Sequence, residues 1–229
     1  MSMSTSRIAR AVAAKDLRIE LRSRVVTNQV LPFSGLVMIM FAFALDNDDV
    51  LQRTAGGLIW LATLFSLFIL VQRTFAVETY DGALDSLRVA GVNPQGIFIG
   101  KSVALFVQLL ILESVLFVAA VVLYRVNVNG SGAVLLVTCV LCATAGLAFV
   151  GTLYGGLTAG ARGRETLLPL LLLPVVAPVL ICATRATESA FRSGGVTVGE
   201  GWPWVGVLAV FAAVFGLGGL LSFGSLIEE

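Results

Sequence analysis

Histidine is absent from the 229 residues of this chain, and charged residues make up only 13% of it. Histidine is the commonest metal ligand and the usual general base near neutral pH, so its absence argues against most metal-dependent and acid–base enzymes. A soluble domain normally carries about 25% charged residues, which form its polar surface. The three cysteines cannot form a full set of disulfides. These shortages nearly exclude a soluble enzyme.

Apolar residues are abundant instead, at 58% of the chain, and the mean hydropathy is +0.97. A membrane-spanning helix needs about 20 mostly apolar residues. Six windows qualify, and they predict an all-α membrane protein whose residues 25–229 form one six-helix transmembrane domain. The net charge of +1 gives no sign of a nucleic-acid partner. The windows are Val25–Leu45, Thr54–Gln72, Ser102–Tyr124, Gly130–Ala161, Thr166–Thr184 and Gly201–Ile227.

The basic residues are distributed unequally between the two sides of these windows. If the N-terminus is inside, only four of the 15 lysines and arginines fall outside, namely Arg53, Arg125, Arg185 and Arg192. Because basic residues concentrate on the cytoplasmic side of a membrane protein, both termini are predicted to be cytoplasmic. The sequence therefore predicts a multi-pass protein of the cytoplasmic (inner) membrane. A cleaved signal peptide, suggested by Ala42-Phe43-Ala44, is the weaker interpretation of the first window.

Residues 1–24 precede the first window and are rich in charge. On a helical wheel Ala14, Leu17, Leu21 and Val25 share one stripe, with Lys15, Arg18 and Arg22 beside it. The pattern predicts an interfacial helix that lies on the inner leaflet and leads into the first span. A solvated basic tail is the alternative.

A second amphipathic segment lies between the second and third windows, from Glu78 to Pro94. Asp81 is a good N-cap, and Gly91 and Pro94 favour an end to the helix, so a short cytoplasmic helix is predicted over about residues 81–90. Such a helix would lie on the membrane or dock into a groove of a partner, and a solvated loop helix is the alternative. Its apolar face would carry Tyr80, Ala83, Leu84 and Leu87, and its polar face Asp81, Asp85 and Arg88.

Polar and helix-bending residues also occur within the windows. Glu113 lies midway through the third window, where a charge costs about 3 kcal/mol on insertion scales. It is either a substrate contact or gating residue, or a neutral carboxyl bonded to a neighbouring helix. Pro169, Pro174 and Pro178 should kink or loosen the fifth span. Small residues line the fourth window, including Gly151 and Gly155, and permit close packing within or between subunits.

No nucleotide-binding motif is complete. Residues 96–102 read GIFIGKS, one residue short of a phosphate-binding loop, at a point where a membrane helix begins. With no nucleophile–base pair or metal cluster in the sequence either, an enzyme is not expected. Any ATP hydrolysis must belong to another chain.

The order of these features resembles the membrane subunits of ABC-2-type exporters, and more narrowly the haem exporter protein B (CcmB) family of cytochrome c maturation. Three segments carry the likeness: KDLRIELRSR, ETYDGALDSLRVAGVNPQGIFIGKSVA and RGRETLLPLLLLPVVAPVLICAT. The second is similar to a D-G-T-L-E-Q-L stretch in the family, with Ala83 in place of threonine and Asp85 in place of glutamate.

The resemblance implies a permease of an ABC transporter complex that supports haem delivery for c-type cytochrome biogenesis. Its partners would be a cytosolic ATPase, a second copy of itself and other haem-handling membrane subunits. The segment around residues 81–90 would couple to the ATPase, with Tyr80, Leu84 and Leu87 in its groove and Asp81, Asp85 and Arg88 at the rim. No cofactor is expected on this chain: ATP would bind the partner, and haem would be a transported ligand of the complex.

Two other functions remain open at this stage. One is an ABC-2-type permease for a drug or a lipid, which would have the same topology. The other is a membrane scaffold for cytochrome assembly that transports nothing and needs no ATPase. In either case any contact with haem iron would have to use tyrosine, methionine or cysteine, because the chain has no histidine.

Overall fold

The computed structural model describes residues 4–45, 47–80, 93–126, 128–161 and 163–228, and these residues form α-helices and short turns without a strand. Leu31–Ala44 is preceded by a π-helical turn at Val26–Val30, and two 3₁₀ turns, Ser193–Gly195 and Val198–Gly201, precede the last helix. The α-helices are α1 (Thr5–Ser23), α2 (Leu31–Ala44), α3 (Asp48–Tyr80), α4 (Pro94–Tyr124), α5 (Gly130–Thr158), α6 (Arg164–Phe191) and α7 (Trp202–Glu228).

The prediction of six membrane spans is confirmed. The π-helical turn and α2 together form the first span, and each of the helices α3 to α7 is long and apolar enough to be another. Three helices extend well beyond their charge-free windows: α3 continues to Tyr80, α4 already begins at Pro94, and α6 continues to Phe191.

Helix α5 lies at the centre of the bundle and packs against α3, α4, α6 and α7. Its small residues make these contacts close. A Cβ atom added at Gly151 would lie 2.9 Å from Val71 on α3, and one at Gly156 would lie 2.8 Å from the ring of Phe223 on α7. The glycine face of the fourth span therefore packs within the chain, apart from Gly160, whose surroundings are open.

Helix α1 packs along the first turns of α4, so it is not a free tail. The face that contacts the bundle carries Ile8, Ala9, Val12 and Ala13. In the stripe recognised from the sequence, Ala14 and Leu21 face outward, and Leu21 is 76% exposed. The sequence analysis therefore found only one of two apolar faces, and the outward face remains available to lipid.

The three prolines of the fifth span lie inside one continuous helix, α6. Proline has no amide hydrogen, so Pro169 cannot donate to the carbonyl oxygen of Glu165, four residues earlier. That carbonyl accepts a hydrogen bond from the side chain of Gln72 on α3 instead, at 3.1 Å. Pro174 and Pro178 lie further along the same helix and do not end it. The kink remains a prediction.

Candidate functional site

The predicted coupling segment falls largely outside the described residues. Asp81, Leu84, Asp85, Leu87 and Arg88 all lie in the stretch that the structure does not describe. Tyr80 is the last residue of α3, and only its backbone is described. The proposed roles of these six residues therefore remain predictions.

The helix that follows this segment begins with a defined cap. The side-chain oxygen of Asn93 accepts a hydrogen bond from the amide of Gln95 at 3.0 Å, which fixes the first turn of α4. The Asn93 amide group also donates to the hydroxyl of Thr5 on α1, at 3.2 Å. The chain therefore enters α4 in direct contact with the start of α1.

Lys101 and Asp16 form a buried ion pair between α4 and α1. Lys101 Nζ lies 3.4 Å from Asp16 Oδ2, and the two side chains are 1% and 6% exposed. The same ammonium group lies 4.6 Å from the centre of the Phe75 ring on α3, a favourable cation–π distance. Lys15 Nζ approaches the other carboxylate oxygen of Asp16 at 3.2 Å.

The sequence analysis missed this pair and considered Lys101 only as part of the incomplete phosphate-binding motif at residues 96–102. The available signal was the spacing of Ile8, Val12 and Asp16, which repeats every four residues and places the carboxylate on an apolar face. A small cavity of about 20 Å³ borders Asp16, enough for about one water molecule. Its lining combines α1, α3 and α4: Lys15, Asp16, Ile19, Glu20, Leu70, Arg73, Thr74 and Gln108.

Glu113 is fully buried inside the bundle, on the face of α4 that meets α5. Thr144 Oγ1 on α5 lies 2.5 Å from Glu113 Oε2, a short hydrogen bond between the two spans. Among the described residues, Oε1 has no hydrogen-bond partner. The carboxyl group therefore connects the third and fourth spans and does not face lipid.

No cofactor site emerges from the described ranges. Within them, no three side chains of histidine, cysteine, aspartate or glutamate come together closely enough to hold a metal ion. Cys139 and Cys182 are buried, and Cys142 is partly buried.

Comparison with known proteins gives one consistent match. Residues 7–218 match the family model described as CcmB protein. Heme exporter protein B of Rhodobacter capsulatus is 31% identical over 176 residues, which cover 75% of this chain and 78% of that protein. Heme exporter protein B of Haemophilus influenzae is 30% identical over 204 residues, 89% of this chain and 88% of that protein.

A third relative, heme exporter protein B of Paracoccus denitrificans, is 29% identical over 181 residues, 78% of this chain and 82% of that protein. The matched region includes nearly all of helix α1, the undescribed segment between α3 and α4, and five complete spans with most of the sixth. With its six membrane-spanning helices and a family match over nearly its whole length, the chain is a multi-pass membrane protein that belongs to the CcmB family.

Proposed function

We propose that this chain is the permease subunit of an ABC transporter complex that delivers haem out of the cytoplasm for the biogenesis of c-type cytochromes. The observation that carries the proposal is the CcmB match over residues 7–218, on a chain with six spans. The three relatives described above are each named heme exporter protein B. Haem is the proposed cargo of the complex.

ATP hydrolysis takes place on a separate cytosolic subunit in this proposal. The chain has no complete phosphate-binding loop, since residues 96–102 are one residue too short. Two ATPase subunits would close on ATP and displace the segment around residues 81–90. That displacement would shift the bundle between two packing states, which is how a transporter converts a local movement into access from the opposite side.

The proposed complex contains further membrane chains. A second copy of this permease would face the first, one for each ATPase subunit. Because the chain lacks histidine, histidine ligation of haem iron belongs to companion subunits in this scheme. The proposed location is the cytoplasmic membrane, with both termini inside, as the excess of basic residues on that side indicates.

The coupling segment provides the sharpest test. Burial of one leucine at an interface is worth about 1.5–3 kcal/mol. Replacing both Leu84 and Leu87 by aspartate removes that burial and places two charges in an apolar groove, which costs still more in desolvation. The spans do not include these residues, so the double variant should reach the membrane at normal level. It should lose both the co-purifying ATPase and cytochrome c formation.

Val50→Asp is the matched control, because Val50 is 41% exposed at the start of α3, on the opposite side of the membrane in this topology. It should keep ATPase binding and cytochrome c formation. If the Leu84→Asp/Leu87→Asp variant retained its ATPase, the segment would be a solvated loop and this coupling mechanism would be wrong. A wild-type chain that brought down no ATP-binding subunit at all would favour the scaffold interpretation.

A further inference from the structure

The contact between α1 and α4 is unusually close. A Cβ atom at Gly96 would lie 2.8 Å from Cβ of Ile8, and one at Gly100 would lie 2.7 Å from the carbonyl oxygen of Ala9. Real Cβ contacts are longer, so neither glycine could be exchanged for alanine without moving one helix. The first two turns of α4 and the first half of α1 therefore fit together over a surface that permits little sliding.

The ion pair lies next to this contact, further along both helices than Gly96 and Gly100. Asp16 and Lys101 are both almost completely buried, and their groups lie 3.4 Å apart. A buried pair gives little net stability compared with apolar side chains of the same size, but it favours one register between the two helices, because a shift of either helix would separate Lys101 from Asp16. Lys101 also covers the ring of Phe75, so the pair contacts α3 as well.

The other end of α1 is joined to the first span. Arg24 ends α1 in a left-handed conformation, and the chain turns at once into the π-helical turn. The Glu20 carboxylate accepts a hydrogen bond from the amide of Val26 at 2.6 Å, across this junction. One short helix thus connects the start of α4 to the start of the first span.

We propose that Asp16 and Lys101 are positioning residues for the coupling of ATP hydrolysis to haem delivery: they make α1 and the start of α4 one rigid body, which carries a displacement of the start of α4 into the first span. The inference rests on the proposed function and extends it. The residues touch neither ATP nor haem, and they act through the helices that they hold together.

The first experiment removes both charges together, as Asp16→Asn with Lys101→Met. The paired change removes the two buried charges together, so neither is left buried without the other, and the chain should insert normally. Whole complexes should retain their ATPase subunit and their rate of ATP hydrolysis, while cells lose the formation of a c-type cytochrome. A merely structural role would lower protein level and ATP hydrolysis together. Arg10→Met, which removes an exposed cation from the same helix, is the matched control and should change neither ATP hydrolysis nor cytochrome c formation.

The second experiment replaces the ion pair by a covalent bond. Thr5 and Asn93 already share a hydrogen bond, so cysteines at these two positions can be bridged by a short bismaleimide that enters cells. The native cysteines are replaced by alanine in this background. In the Asp16→Asn/Lys101→Met variant the bridge should restore cytochrome c formation. In an otherwise native chain it should leave cytochrome c formation unchanged, because the two helices already move together. Each single-cysteine variant with the same reagent is the control.

Three results would overturn the inference. The first is full cytochrome c formation in the Asp16→Asn/Lys101→Met variant. The second is a failure of the bridge to restore cytochrome c formation in that variant, although gel electrophoresis shows that the bridge has formed. The third is loss of cytochrome c formation when the otherwise native chain is bridged. The third does not depend on how well the neutral variant folds. Failure of the proposed function looks different, since no ATPase would then co-purify with the wild-type chain.

Discussion

The hydroxyl of Thr144 lies 2.5 Å from the carboxyl oxygen Oε2 of Glu113, in the interior of the membrane domain. The same hydroxyl oxygen lies 2.6 Å from the carbonyl oxygen of Val140. A hydroxyl has one proton to donate, and a carbonyl oxygen only accepts. Both contacts are hydrogen bonds if Glu113 is a neutral acid that donates to Thr144, while Thr144 donates to Val140. This arrangement also avoids a charge at mid-membrane.

Glu113→Gln should therefore be well tolerated. The glutamine amide can donate to Thr144 as the neutral acid does, so protein level in the membrane and cytochrome c formation should remain near wild type. Glu113→Leu removes the donor and should cost about 1 kcal/mol of stability. Immunoblots of membranes and haem staining of cytochromes measure both. Loss of cytochromes in Glu113→Gln at normal protein level would show that the acid itself has a role in transport.

The orientation of the chain can be tested by labelling single cysteines in a background without the native three. Cysteines at Asp48 and Gly199 should react with a membrane-impermeant maleimide added to intact cells, because both lie in exposed segments on the predicted outer side. Cysteines at Ser6 and Ser86 should react only after the cells are opened. Labelling of Ser6→Cys in intact cells would contradict the predicted topology and place the N-terminus outside.

The internal packing of α5 makes a prediction about stability. A Cβ atom at Gly155 would collide with the ring of Phe75 and lie 2.7 Å from a methyl group of Val71, so Gly155→Ala overpacks the contact with α3. The expected cost is about 1–3 kcal/mol. A lower thermal midpoint of the detergent-solubilised protein would show it.

Gly206→Ala is the matched control for this substitution, because a Cβ atom at Gly206 on α7 meets nothing within 4 Å. Alanine is also the better helix former, by about 0.5–1 kcal/mol in water. The midpoint of Gly206→Ala should therefore be unchanged or higher. Equal effects of the two substitutions would mean that the glycine face of α5 is not packed as described.

The six spans were predictable because they depend only on the length and composition of local windows. The ends of the helices were less predictable: Arg185 and Glu188 follow the charge-free window that ends at Thr184, yet α6 continues through both, since a helix does not stop where the hydrocarbon layer does. The buried polar contacts were harder to predict than the spans. The partners Asp16 and Lys101 are 85 residues apart in the chain, and Glu113 and Thr144 are 31 apart. A single sequence shows each polar residue but not the helix that it meets.

The hydrogen bond from Gln72 to the backbone oxygen of Glu165 depends on the residue at position 169 more than on the side chain at position 165. The acceptor is a main-chain oxygen, which every amino acid supplies, so the side chain at position 165 can vary without loss of this bond. The oxygen is free for Gln72 because Pro169 brings no amide hydrogen to it. Any other residue at position 169 would supply an amide that competes for the same oxygen. Substitutions at position 165 should therefore be tolerated, although this residue accepts the hydrogen bond. Substitutions of Pro169 should be tolerated less well, although its side chain takes no part in the bond.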